Sequence, residues 1–234
     1  MEINQHDKVA WLIGAHERVG RKCLVQLLHH QAYRKVVVLM EEPLDFEHSQ
    51  LEVHPFSLEK IPAGLPQGDV HDVFYCWDQT NRPIHKEGPN FNPADTYAGI
   101  IAQHAHQKGA VQFLFLSSVA ADTASTLYYR QENRMVEAFL ERIGFWGTHV
   151  FRPALVTEES PSGAGANALK WLGKSFGRWT QGAFDKYKPV AAPTVAQAMV
   201  QAAQGIEEGV FIYSSEYLQD FAKTNQKGII RSNG

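Results

Sequence analysis

KVAWLIGAHERVGRKCLVQLL, the stretch Lys8–Leu28, decides how the rest of the chain is read. The apolar run Val9–Ile13 ends in Gly14. A short turn, Gly14-Ala15-His16-Glu17-Arg18-Val19-Gly20, then delivers the chain into a helix with Val19, Cys23, Leu24, Leu27 and Leu28 along one stripe. That spacing belongs to a helix laid on a sheet. Strand, glycine turn and helix in this order form the opening unit of a dinucleotide-binding fold, in which phosphate sits on the helix N-terminus.

The turn departs from the full three-glycine fingerprint. Gly14 can make the tight turn and Gly20 the close helix–strand contact, but Glu17 stands where backbone would approach a pyrophosphate. Its carboxylate has three readings: a cap on the helix N-terminus, a ligand contact, or an occupant of the anion's own place. His16, inside the same turn, can donate to a phosphate or simply face water.

Working outward, Lys35–Leu39 follows its lysine with three valines and a leucine, as a strand covered on both faces should. Leu51–Phe56, Val70–Trp77, Val111–Leu116 and Thr148–Phe151 read as further strands, and Asp95–Lys108 and Leu127–Ile143 as helices. Asp78–Pro93, with three prolines and a glycine, is a long loop at a strand's C-terminal end, where open α/β sheets carry their ligand crevice. The pattern is that of a doubly wound parallel sheet.

The last third looks different. After a Pro/Gly/Ser linker at 160–165, helices are expected at 166–179 and 194–203, a short strand at Val210–Tyr213, and a mobile polar tail from Lys223. The whole 1–234 is read as one domain, with its core at about 8–156 and a small cap with C-terminal elements at about 157–222. Lys170, Lys174 and Arg178 make the first of those helices basic along one side, which reads as a solvated face.

Composition narrows the function classes. A net charge of -3 gives no basic footprint for nucleic acid. No apolar run approaches a membrane span, and the polar start resembles no signal peptide. Cys23 and Cys76 fall on a helix face and in a strand, so core thiols in a reducing cytoplasm are expected. Eleven histidines include no Cys/His cluster at zinc spacing, and no metal is expected.

Beyond the first unit, Leu116-Ser117-Ser118 followed by Ala120-Ala121-Asp122, then Leu127-Tyr128, Val150-Phe151-Arg152-Pro153 and Ala192-Pro193-Thr194-Val195-Ala196-Gln197-Ala198-Met199 occur in a telling order. With them, residues from about 8 to about 204 resemble the atypical short-chain dehydrogenase/reductases, in particular the small branch typified by the human HIV Tat-interacting oxidoreductase. The resemblance implies a Rossmann fold, an NAD(P) cofactor and a Ser–Tyr–Lys site. Ser118 (or Ser117) and Tyr128 take the first two places, but four residues beyond Tyr128 stands Glu132, and shifting to Tyr129 puts Asn133 there. A lysine at that spacing favours the phenolate of the tyrosine, whereas a carboxylate disfavours it.

Gly14, Ala15, His16, Glu17, Val19, Gly20, Glu41 and Thr80 are the expected cofactor contacts. Glu41 lies 21 residues beyond Gly20, where an acid suits the ribose hydroxyls of NAD and repels NADP. The expectation is therefore an NAD-preferring oxidoreductase on a small molecule, or a catalytically inactive relative that senses a nucleotide-like ligand or a protein partner, with no cofactor if Glu17 fills the anion's place. Either would be a monomer or homodimer.

Overall fold

A computed structural model describes residues 6–40, 44, 46–56, 61, 63–77, 91–117, 126–158 and 189–231, with backbone alone at 126–130 and 225–231. Strand β1 (Lys8–Ile13) is buried along its whole length because its two faces serve two different cores. Ala10 and Leu12 point into one, and Val9, Trp11 and Ile13 into the other.

Around β1 the sheet is β3 (Leu51–Pro55), β2 (Tyr33–Met40), β1, β4 (Asp72–Tyr75), β5 (Gln112–Leu116), β6 (Gly147–Arg152) and β9 (Gly209–Ser214), in that spatial order. Every pairing in it is parallel. The order reverses at β1, so the chain leaves β1 toward β2 on one side and returns to β4 on the other. That switch point opens a crevice at the C-terminal ends of β1 and β4.

One core lies between the sheet and helices α1 (Arg18–His29), α4 (Ala192–Ala202) and α5 (Ser215–Arg231). The other lies between the sheet and helices α2 (Tyr97–Gln107) and α3 (Thr126–Ile143). A separate pair, β7 (Val156–Thr157) with β8 (Val190–Ala191), leads into α4. The start of α2 is set by Thr96, whose hydroxyl accepts from the Gly99 amide (3.1 Å), while Pro93–Asp95 ahead of it is a single 3-10 turn. The expected helix start at Asp95 therefore moves to Tyr97, because the cap decides it.

Two expectations change. The helix and strand after Val190 belong to the Rossmann core, not to a cap. Val195, Ala196 and Met199 of α4 pack with Leu24 and Leu27 of α1, and β9 is the seventh strand of the main sheet. The segment from Lys223, expected as a polar tail, continues the backbone of α5 to Arg231. The predicted helix 166–179 lies outside the described residues.

The opposite end of the sheet is held by buried polar groups. Lys8 Nζ lies 2.6 Å from Asp72 Oδ2 and donates to the Ala203 carbonyl at 2.7 Å. Tyr33 Oη donates to the same Asp72 oxygen (2.6 Å) and receives the Gln204 amide (3.1 Å). This cluster pins the C-terminal end of α4 beneath β1 and β4.

Candidate functional site

The site grows from the turn between β1 and α1. Gly14 has φ +82°, and a Cβ there would stand 2.7 Å from the Trp77 Cα and N. A Cβ on Gly20 would come within 1.9 Å of the Gly14 carbonyl oxygen. Both glycines are therefore fixed by packing: the first turn of α1 sits directly on the turn, and the turn sits directly on the end of β4. Neither contact leaves room for a side chain.

The Glu17 amide donates to Gly14 O (2.9 Å), and the first helical hydrogen bond runs from the Arg21 amide to Glu17 O (2.9 Å). The amides of Arg18, Val19 and Gly20 thus have no acceptor in the preceding turn of helix, the arrangement that binds anions at helix N-termini. Ala15 and Val19 are buried in the core, so what they can offer a ligand is backbone.

Glu17 occupies the N-cap position without a side-chain cap bond, so its carboxylate acts on the helix N-terminus through charge alone. Its Oε1 lies 3.3 Å from Nε2 of His16, which is half-exposed. Beneath the turn, Cys23 and Cys76 are free and buried with their sulfurs 3.8 Å apart. The Cys23 contact and burial push the Cys76 thiol well above its usual value, and the Glu17 carboxylate adds to the effect. The thiols act as apolar packing, as expected.

Sequence reading missed the aromatic wall of this crevice. Trp77, just past β4 and nearly buried, stacks on Tyr97 at the start of α2 with centroids 5.4 Å apart and planes 25° apart. The signal was weak, because Trp77 closes an apolar strand and Tyr97 opens a helix, and only the sheet brings them together.

Along the same edge, Ser117 follows β5 and is buried, its amide donating to the Phe151 carbonyl (2.8 Å). The face that α3 turns inward runs through Asn133, Val136, Glu137 and Leu140, with Glu132 half-buried beside it. Arg152, at the end of β6, grips Glu137 with two bonds, Nε to Oε1 at 3.1 Å and Nη2 to Oε2 at 2.5 Å. Glu137 is buried, so the Arg152 charge is already neutralised by a fork-like partner.

Ser118, Glu41, Thr80 and the side chains of Tyr128 and Tyr129 lie outside the described residues. Among the described residues, no group of three or more His, Cys, Asp or Glu is arranged to hold a metal, and no helix is long and apolar enough to cross a membrane. A cavity of about 620 Å³ between the 3-10 turn, α2 and α3 is lined by none of the candidate site residues.

Fold, glycine turn and strand order are of the Rossmann type, and the chain is similar to proteins of that fold. It is similar to Protein HTATIP2 of Rattus norvegicus, 28% identical over 205 residues that cover 85% of this chain and 82% of that one. It is also similar to Protein FMP52, mitochondrial, of Candida albicans (strain SC5314 / ATCC MYA-2876), 24% identical over 83% of this chain and 87% of that one. Among solved structures, 3-oxoacyl-[acyl-carrier protein] reductase from Brucella melitensis in complex with NAD superposes with a TM-score of 0.57. It is 11% identical, over 91% of this chain and 98% of that one, a likeness of fold. No family model matches the chain.

Proposed function

We propose that the chain binds a nicotinamide dinucleotide, NAD in preference to NADP, across the crevice at the C-terminal ends of β1 and β4. One observation carries the reading: Gly14 and Gly20 form a cradle in which the turn, the first turn of α1 and the end of β4 approach too closely for any Cβ, so that the ligand would meet the backbone amides at the N-terminus of α1. That cradle suits the backbone approach of a pyrophosphate, whereas the Glu17 carboxylate at its middle position works against one. Trp77 and Tyr97 offer a flat apolar wall beside it. The preference for NAD rests on Glu41 and its spacing from Gly20. The Brucella reductase of the same fold carries NAD in its structure, which supports the same ligand class.

With the tyrosine at Tyr129, Asn133 takes the lysine's place; with Tyr128, Glu132 does. The Arg152 charge is spent on Glu137. Nothing in this set lowers a tyrosine's pKa toward neutrality, so the reading is a nucleotide-binding protein without the usual Tyr–Lys proton relay. The second reading, an NAD-dependent oxidoreductase, rests on the retained Ser117–Ser118 pair and tyrosines, with Ser118 and Tyr128 polarising a carbonyl. The protein would act in the cytoplasm on a small molecule, without nucleic acid, as a monomer or homodimer.

Thermal unfolding with millimolar NAD, NADH, NADP and NADPH in parallel tests the binding. A ligand at about 100 times its Kd stabilises by about 2.7 kcal/mol, enough to raise Tm by several degrees. A rise with NAD or NADH alone is expected. No rise with any of the four would overturn the reading.

A further inference from the structure

The cavity between the 3-10 turn, α2 and α3 holds about 620 Å³. That is within the range of small-molecule sites, roughly 300–1,000 Å³. Its residues come from one face of each helix: Gln103 and Gln107 stand one turn apart on α2, and Phe139, Arg142 and Ile143 follow i, i+3, i+4 spacing on α3. Pro93, Phe139 and Ile143 are half-buried and give it an apolar floor, while the two glutamines and Arg142 are exposed along its rim.

Charge in the cavity has one sign. No Asp or Glu is among its lining residues, and Arg142 is the one permanent cation there. Arg18, Arg21 and Arg152 each pair with a carboxylate, whereas Arg142 has none within ion-pair distance among the described residues. Its Nε donates to the Ala138 carbonyl one turn back on α3 (3.1 Å), which lays the side chain along its own helix and fixes the guanidinium beside the floor. The negative end of α3 accounts for a cation in its last turn, but not for an apolar floor next to it. Across the cavity, Gln103 spends its amide nitrogen on the Gly99 carbonyl (3.3 Å), so its oxygen is the part that can accept from a ligand.

We propose that this cavity binds a small organic carboxylate with an apolar body, its carboxylate forked on Arg142 and its body laid on Pro93, Phe139 and Ile143. A planar carboxylate of one charge matches a single guanidinium two bonds at a time. A phosphomonoester, with close to two charges, would lack a second permanent cation in this lining.

The inference does not rest on nucleotide binding, and its test leaves that reading untouched. Phenylpropionate titrated into the full chain, followed by amide chemical shifts, should give saturable shifts centred on α2 and α3, and excess NADH should not abolish them. Phenylpropionamide, which keeps the body and loses the charge, should bind about tenfold more weakly, as should phenylpropionate to Arg142→Gln. Arg142 is exposed, so that variant should unfold at close to the parent's temperature. Absence of saturable shifts, shifts centred on the crevice at β1 and β4, or equal binding of acid and amide would overturn the proposal. So would sedimentation showing a dimer that Arg142→Glu dissolves, since a second copy would then cover the cavity.

Discussion

Replacing His149 with glutamine should remove a large part of the protein's sensitivity to acid. His149 is on β6, buried, with its ring stacked on Phe211 at 4.9 Å. Gln112 spends its amide nitrogen on the Ala203 carbonyl (2.8 Å), so its oxygen must accept from His149 Nε2 at 2.9 Å. The other ring nitrogen, Nδ1, then accepts from Tyr213 Oη at 3.0 Å, and burial holds that phenol protonated by pushing its pKa up to about 12. The network wants a neutral imidazole. Burial first, and the Lys8 charge second, lower the His149 pKa to about 4. The native state therefore binds its proton later than the unfolded chain, whose histidine titrates near 6.5. Stability from this group is complete above about pH 6.5 and is lost as pH falls toward 4. The loss is about 2 kcal/mol by pH 5 and about 3 kcal/mol by pH 4. His30 and His71, also lowered mainly by burial, titrate in the same direction, so the quantity to read is the difference between two proteins. Urea unfolding of the parent and His149→Gln at pH 7.5, 6 and 5 should show the parent losing stability more steeply. Parallel loss in both would refute the assignment of a neutral, buried His149.

Lys8→Met strands the fully buried Asp72, whose Oδ1 already lacks a protein partner among the described residues, and should cost about 3–5 kcal/mol in urea unfolding. The double variant Lys8→Met/Asp72→Leu should recover most of that, and failure to recover would mean the pair does more than satisfy its own charges. Gly20→Ala drives a methyl to within 1.9 Å of the Gly14 carbonyl. It should lower stability by about 3 kcal/mol or more, seen as a fallen Tm or lost soluble protein; a normal Tm would contradict the close approach of α1 to the turn. Glu17→Gly removes a carboxylate from the middle of the cradle and should tighten NAD by about tenfold. Unchanged affinity in a calorimetric titration would place Glu17 away from the phosphates.

The first βαβ unit was legible because everything that specifies it is local. The apolar run, Gly14, Gly20 and the α1 stripe lie within twenty-odd residues and each demands the same geometry. What was not legible depends on distant partners. Nothing near Lys8 in sequence explains its burial, and only Asp72, far along the chain, does. The strand β9 was read with the cap because it follows the linker at 160–165, and only its pairing with β6 places it in the main sheet. Glu17 had three readings from sequence, and at the N-cap its side chain lies beside His16, a choice between neighbours that residue type does not decide. The inward face of α3 shows the same limit, since burial of Asn133 and Glu137 follows from what the helix packs against and not from residue type. Arg152 was visible as part of a motif, but its pairing with Glu137 needed β6 and α3 side by side.

The central claim is that the glycine cradle at α1 still holds a nicotinamide dinucleotide. Isothermal titration of NADH into the purified chain tests it most directly. The account predicts saturable binding of one NADH per chain, with NADPH markedly weaker. No saturable heat with either, in a protein that unfolds cooperatively, would contradict it.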